Sequence, residues 1–141
     1  MTKVLDTGVQ NVRNVSRYMF GQSCLDKLPE ILKTQCTEPN GTTVYFVDSY
    51  FQANGSLIDR LPFEKFDQVI FVPTVEEPTT DFVDTVCAQI LNERSTIPRA
   101  IVGIGGGITL DTAKAISNLI GNGGRAEDYL GWDLLCKPGV Y

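Results

Sequence analysis

Residues 99–120 read RAIVGIGGGITLDTAKAISNLI, and this stretch decides the fold. Its first part, residues 100–104, is a short and mostly β-branched apolar run, which predicts a buried strand. Three glycines follow it directly. After the glycines, apolar residues recur at helical spacing: Leu110, Ala113, Ile116 and Ile120. The stretch therefore predicts a strand, a glycine turn and a helix in succession.

The glycine turn, Gly105, Gly106 and Gly107, has the composition of an anion site. A strand that passes through glycines into a helix aims free N–H groups and the positive end of the helix dipole at a phosphate. Without Cβ atoms the main chain can be approached closely. The plainer alternative is a tight turn without a ligand, for which one or two glycines suffice. The GxGxxG motif does not fit, because Ile108 or Leu110 stands where its third glycine should be. The GxxxxGK[ST] motif does not fit either, because Lys114 follows Ala113 inside the helix.

The rest of the chain alternates between predicted strands and predicted helices. Strands are expected at residues 15–20, 43–47 and 68–72. Ser23 is a predicted N-cap of a helix that ends near residue 35, and Thr79 or Thr80 of one that ends near residue 93. Residues 54–56 are predicted to break a short helix, with loop or turn at residues 57–63 and loop with short helical turns after residue 124. The pattern predicts one α/β domain over residues 1–141, a parallel Rossmann-like sheet with helices on both faces.

Ligands of parallel sheets bind at the carboxyl ends of the strands. In this chain that edge is predicted to carry Asp48, the loop of residues 73–79 and the glycine turn. A carboxylate in the position of Asp48 can accept hydrogen bonds from an adenosine ribose and repel a 2′-phosphate. The alternative is that Asp48 only caps a helix or turn, as Asp commonly does where strands end.

Composition narrows the classes of function. The 141 residues carry a net charge of −5, which argues against a nucleic-acid or anionic-membrane partner. No signal peptide is predicted from the first residues, and no apolar run is long enough to span a bilayer. Its four cysteines form no CxxC pair and are interpreted as reduced thiols of a cytoplasmic protein.

Histidine is absent from the sequence. This excludes a Ser-His-Asp or Cys-His nucleophile and a metal site of the usual imidazole kind. A metal held by carboxylates alone is the remaining alternative. The acidic residues nearest one another, Glu76, Glu77, Asp81 and Asp84, are better explained as an acidic helix start. The residues themselves therefore predict no metal site and no histidine-dependent catalysis.

The segment GGGITLDTAKA resembles the GGGxxxDxAKA signature of the iron-containing alcohol dehydrogenase and glycerol dehydrogenase superfamily, which includes dehydroquinate synthase. Where many members have serine or lysine, this chain has Ile108, so contact there is expected from the backbone N–H. The resemblance implies NAD as the cofactor. It also implies the cofactor-binding residues, which are Asp48, Thr79, Gly105, Gly106, Gly107, Ile108 and Asp111.

Further segments resemble the same superfamily. Residues 46–48, FVD, match an acid-ended early strand of NAD-using members, and residues 72–79 match a V-x-P-N-P-T loop with Glu77 in place of Asn. Residues 14–21, NVSRYMFG, resemble an opening strand that helps to form homodimers. The ending, DYLGWDLLCKPGVY, resembles the segment before the family's next strand. Together these segments are most similar to the subgroup that oxidises the C8 alcohol of 3-deoxy-manno-octulosonate.

The resemblance implies an N-terminal nucleotide-binding domain of the dehydroquinate synthase-like fold. It places the helical domain that binds Fe or Zn outside this chain, so the chain alone is expected to oxidise no alcohol. The whole protein would oxidise a primary alcohol, polyol or sugar acid with a nicotinamide cofactor. The alternative function is a stand-alone nucleotide- or phosphate-binding module without catalysis.

Overall fold

A parallel sheet lies at the centre of the computed structural model, which describes residues 15–35, 41–53, 55–93 and 96–141. Within these residues the sheet has three strands in the order β2-β1-β3. The strands are β1 (Thr43–Asp48), β2 (Gln68–Val72) and β3 (Ala100–Ile104). The α-helices are α1 (Leu28–Gln35), α2 (Gly55–Ile58), α3 (Thr80–Asn92) and α4 (Gly107–Asn122). Short 3₁₀ turns cover Cys24–Lys27, Ser49–Phe51 and Ala126–Tyr129.

The middle strand, β1, is buried along its length because both of its edges and both of its faces are covered. Val44 to Val47 have no exposed surface. Val47 pairs with Phe71 of β2 on one side and with Ile104 of β3 on the other, and all pairing is parallel. The predicted parallel α/β sheet is therefore confirmed, and its apolar strands are those of a sheet covered on both faces.

Alternate side chains of β1 enter two different cores. Val44 and Phe46 pack with α3 and α4, whereas Tyr45 and Val47 pack with α1 and the α2 region. Because successive side chains of a strand point to opposite faces, one strand serves both cores. The prediction of helices on both faces is confirmed.

Helix α3 begins and ends close to where the sequence predicts, and α4 begins at the predicted glycine turn. The Thr79 hydroxyl oxygen accepts the Phe82 N–H at 3.2 Å and caps α3. Helix α4 starts at Gly107 and ends at Asn122, before Gly123, which has a φ of 77°. A positive φ costs glycine little, which explains the stop at this point.

Three local predictions are wrong. Residues 15–20 form no strand, and all six are exposed, because the segment does not join the sheet. Ser23 caps nothing, since its backbone is left-handed with a φ of 60° and its side chain makes no capping bond. Residues 55–58 form the helix α2, where the sequence predicted a helix break at residues 54–56 and a loop or turn from residue 57. Asn54, like residues 1–14 and 36–40, lies outside the described residues.

The segment after residue 124 contains one 3₁₀ turn, as predicted, and then follows α4 back to the sheet. Ser117 donates its hydroxyl proton to the Val140 carbonyl at 2.7 Å, and the Val140 N–H donates to the Ser117 carbonyl at 3.1 Å. The Ile101 N–H then donates to the Tyr141 carbonyl at 2.7 Å. Tyr141 is therefore held beside the start of β3.

The cysteines differ in environment, and this gives a testable prediction. Cys24, Cys87 and Cys136 are free thiols; Cys87 is buried between α3 and α4, whereas Cys136 is exposed. Burial, with a smaller contribution from Asp84, raises the pKa of the Cys87 thiol from 9.0 to about 12. Since only the thiolate reacts, Cys87 should resist iodoacetamide at pH 8 while Cys136 is labelled. Peptide mass spectrometry measures both, and equal labelling of native protein would contradict the packing of α3 on α4.

Candidate functional site

The ends of β1 and β3 border a point where the chain leaves the sheet in opposite directions. After β1 the chain passes to the face covered by α1 and α2, whereas after β3 it enters α4 on the other face. Parallel sheets open a crevice at such a point, outside the carboxyl ends of the strands. Asp48 ends β1 and Gly105 follows β3, so both flank this crevice.

The three glycines of the turn have different roles. A Cβ on Gly105 would lie 2.7 Å from the Asp48 Cβ and 2.9 Å from the Thr109 Oγ1, and its φ is 155°. Gly105 is therefore required by the fold itself. A Cβ on Gly106 or Gly107 would meet nothing within 4 Å. These two glycines leave open space above the main chain.

The N-terminus of α4 presents free donors beside this open space. Its first backbone hydrogen bond runs from the Leu110 N–H to the Gly106 carbonyl at 3.0 Å, and no side chain caps the helix. Within the described residues, the N–H groups of Gly107, Ile108 and Thr109 have no acceptor. Such donors and the helix dipole together favour an anion.

Asp48 is both a cap and an available carboxylate. Its Oδ1 accepts the Tyr50 N–H at 2.9 Å and so caps the 3₁₀ turn of Ser49–Phe51, which is the structural role that the sequence left open. The Thr74 hydroxyl lies 3.4 Å from the same oxygen. In the described part of the chain, the other oxygen, Oδ2, accepts no hydrogen bond, so it remains available to a ligand hydroxyl.

The loop after β2 meets the site through its first residues. Val72 pairs with Asp48 across the sheet, and Thr74 then contacts the Asp48 carboxylate. The convergence of this loop, Asp48 and the glycine turn is thus confirmed. Thr79 lies at the far end of the loop, where its hydroxyl oxygen is occupied by the cap of α3.

Asp111 lies on an exposed face of α4, where its carboxylate forms an ion pair with Lys114 at 2.6 Å. Both side chains line a cavity of about 840 Å³ that extends along β3 to the segment of residues 15–23. Gly105 and Gly107 line the same cavity. Gly105 therefore packs beside Asp48 and also borders the cavity that Asp111 lines.

The residues present do not fit a metal ion. The sequence has no histidine, and in the described ranges no three Cys, Asp or Glu side chains are grouped closely enough to hold one. None of the helices described is long and apolar enough to cross a membrane. The polar groups described at the site are the N–H groups at the start of α4 and the neighbouring carboxylate of Asp48.

This geometry agrees with comparisons to known proteins. The family model of the iron-containing alcohol dehydrogenases matches residues 15–140. The chain belongs to this family. It is also similar to the NAD-dependent methanol dehydrogenase of Bacillus methanolicus, with 54% identity over 41 residues. That match covers 29% of this chain and 11% of the methanol dehydrogenase. The chain thus spans only a small part of the length of the methanol dehydrogenase that it matches.

Gly103, Thr74 and Thr109 also contribute to the site, although the sequence analysis did not identify them. A Cβ on Gly103 would lie 3.0 Å from the Ala113 Cβ and 3.3 Å from the Leu110 Cδ2, so this glycine lets α4 pack closely on β3. Its signal was a glycine inside an apolar strand, which is typical of a close approach. Thr74 and Thr109 gave no such signal, because their roles depend on contacts with distant Asp48 and with the turn.

Proposed function

We propose that this chain binds NAD as the cofactor-binding part of an iron-containing-type alcohol dehydrogenase. The observation that carries the proposal is the position of Asp48, with one carboxylate oxygen available, directly beside a glycine turn whose N–H groups are free. An acid and a phosphate turn at one crevice match the ribose and pyrophosphate of a dinucleotide.

In this proposal the residues of the turn and Asp48 divide the cofactor between them. The N–H groups of Gly107 and Ile108 donate to phosphate oxygens over the open space at Gly106 and Gly107. Ile108 takes part through its backbone, so its apolar side chain is no obstacle. The Asp48 carboxylate accepts hydrogen bonds from the adenosine ribose, and its charge disfavours the 2′-phosphate of NADP. When bound, NAD accepts a hydride from the alcohol carbon.

Thr79 and Asp111 complete the proposed cofactor site. Thr79 ends the loop that begins beside Asp48, and Asp111 follows the turn on α4. Since the Thr79 hydroxyl caps α3 and the Asp111 carboxylate pairs with Lys114, the contribution of each would be to position the backbone around it.

Oxidation of the alcohol is assigned to residues outside this chain. Hydride transfer from an alcohol requires its oxygen to be deprotonated or polarised, and a Lewis-acid metal contributes several kcal/mol to this. We expect no sustained turnover when the purified chain is mixed with NAD, Fe²⁺ or Zn²⁺ and a panel of primary alcohols and sugar acids. Absorbance of the reduced nicotinamide measures it. Sustained turnover would show that this chain itself contains a catalytic group.

The proposed substrate follows from the sequence resemblance. It is a primary alcohol, a polyol or a sugar acid, including the C8 alcohol of 3-deoxy-manno-octulosonate.

The oligomeric state and the location are also proposals. A homodimer is proposed to form through the segment of residues 15–20, where Tyr18 and Phe20 are 70% and 90% exposed. The free thiols of Cys24, Cys87 and Cys136 support a location in the reducing cytoplasm.

The choice of cofactor tests the proposal. We expect NAD to bind at least tenfold more tightly than NADP, which corresponds to about 1.4 kcal/mol. Asp48→Asn should narrow this difference, because asparagine can still accept the Tyr50 N–H but carries no charge to repel the 2′-phosphate. Calorimetric titration of both cofactors measures it, and Asp67→Asn, a change at the opposite end of the sheet, is the control. Equal or tighter binding of NADP by the unmodified chain would refute the proposal.

A further inference from the structure

Thr109 lies buried beneath the glycine turn with an unused hydroxyl group. The side chain has no exposed surface, and its Oγ1 has no hydrogen-bond partner in the described structure. A buried hydroxyl without a hydrogen-bond partner lowers the stability of the fold, so the presence of threonine at this position requires an explanation. Thr112, one turn later on α4 and equally buried, instead donates to the Ile108 carbonyl at 2.7 Å.

The Thr109 hydroxyl is close to Asp48. Its Oγ1 and the Asp48 Cβ both lie within 3 Å of one point, the position that a Cβ of Gly105 would occupy. The bonded oxygen of Asp48, Oδ1, is engaged by Tyr50 and Thr74, while Oδ2 has no described donor. A hydroxyl without an acceptor and a carboxylate oxygen without a donor thus belong to two residues that both pack against Gly105, which has no side chain.

We propose that Thr109 is a positioning residue that donates its hydroxyl proton to the Oδ2 of Asp48 when the cofactor is bound. This bond would fix the carboxylate that faces the ribose. Each carboxylate oxygen has two acceptor positions, so Oδ2 can accept from Thr109 and from a ribose hydroxyl together. The inference rests on the proposed binding of NAD and deepens it, since it makes a buried residue of α4 a determinant of selectivity at the end of β1.

Thr109→Val removes the hydroxyl at nearly constant volume. Because the free protein loses no hydrogen bond, its melting temperature should be unchanged or higher. The bond is lost only in the complex, so affinity for NAD should fall by about tenfold or more, as for a hydrogen bond to a charged group. Affinity for NADP should change little, because NADP gains nothing from a well-placed carboxylate. The preference for NAD should therefore narrow by about the same factor.

Two further variants complete the experiment. Thr109→Ser keeps a hydroxyl and should retain the preference for NAD, whereas Thr112→Val removes a hydroxyl that is satisfied within α4 and should leave it unchanged. If Thr109→Val fails to fold, Thr109→Ala takes its place. Calorimetric titration of NAD and NADP measures each variant.

The outcomes separate this inference from the proposed function. If the unmodified chain binds NAD and Thr109→Val binds it with the same affinity, the role of Thr109 is overturned but the proposed function is not. An equal loss of NAD and NADP affinity would also overturn it, because it would mean that Thr109 only supports the turn. Absence of NAD binding by the unmodified chain would overturn the proposed function itself.

Discussion

Gly106→Val is expected to abolish binding of NAD while the domain remains folded. A Cβ at this position meets no atom within 4 Å, and the backbone of Gly106, with a φ of −80° and a ψ of −173°, is one that valine adopts readily. The added methyl groups would fill the space above the free N–H groups of α4. Replacing glycine at this helix N-cap should cost less than about 1 kcal/mol of stability.

The loss of affinity should be at least about a hundredfold, since two or more hydrogen bonds to a charged phosphate would be broken. Isothermal titration measures the affinity, and thermal unfolding shows that the fold is intact. Gly55→Val is the matched control, because a Cβ on Gly55 also meets nothing within 4 Å and the residue lies on α2. Normal binding by Gly106→Val would reduce the glycine turn to a structural feature.

Gly105→Ala, unlike Gly106→Val, should destabilise the fold. Its Cβ would lie 2.7 Å from the Asp48 Cβ and 3.0 Å from the Thr109 Cβ, with a φ of 155° that L residues rarely adopt. Backbone strain and overpacking each cost about 1–3 kcal/mol, so we expect a loss of stability of roughly 2–6 kcal/mol. Gly106→Ala is the adjacent control. Denaturant unfolding measures both, and equal stability of the two variants would contradict the packing of Asp48 and Thr109 around Gly105.

These two glycines also illustrate how far the sequence predicts the site. The run of glycines between a β-branched strand and an apolar-periodic helix is a local pattern, and it identifies the turn, β3 and α4 correctly. However, the sequence pattern gives no basis for assigning different roles to the three glycines. Only the folded chain distinguishes Gly105, which packs against Asp48, from Gly106, which faces open space, because that difference depends on a strand more than fifty residues earlier.

The wrong predictions have a similar physical origin. Residues 15–20 have the composition of a strand, but a strand also needs a hydrogen-bonding neighbour, and composition does not supply one. Ser23 is a common N-cap type, yet its left-handed backbone excludes the capping geometry. The cap of α3 was predicted as Thr79 or Thr80, and the structure shows Thr79; a capping residue, an acidic first turn and an apolar stripe all agree within this short segment.

NMR titration can check, residue by residue, the claim that the glycine turn and Asp48 together form the NAD site. Addition of NAD to ¹⁵N-labelled protein should shift the amide signals of Gly106, Gly107 and Ile108 most strongly, together with that of Tyr50, whose N–H is bonded to Asp48. The amides of Thr43 and Glu64, which both donate to Asp67, are internal controls and should remain in place. Shifts confined to other regions, or no shifts at saturating NAD, would contradict the claim.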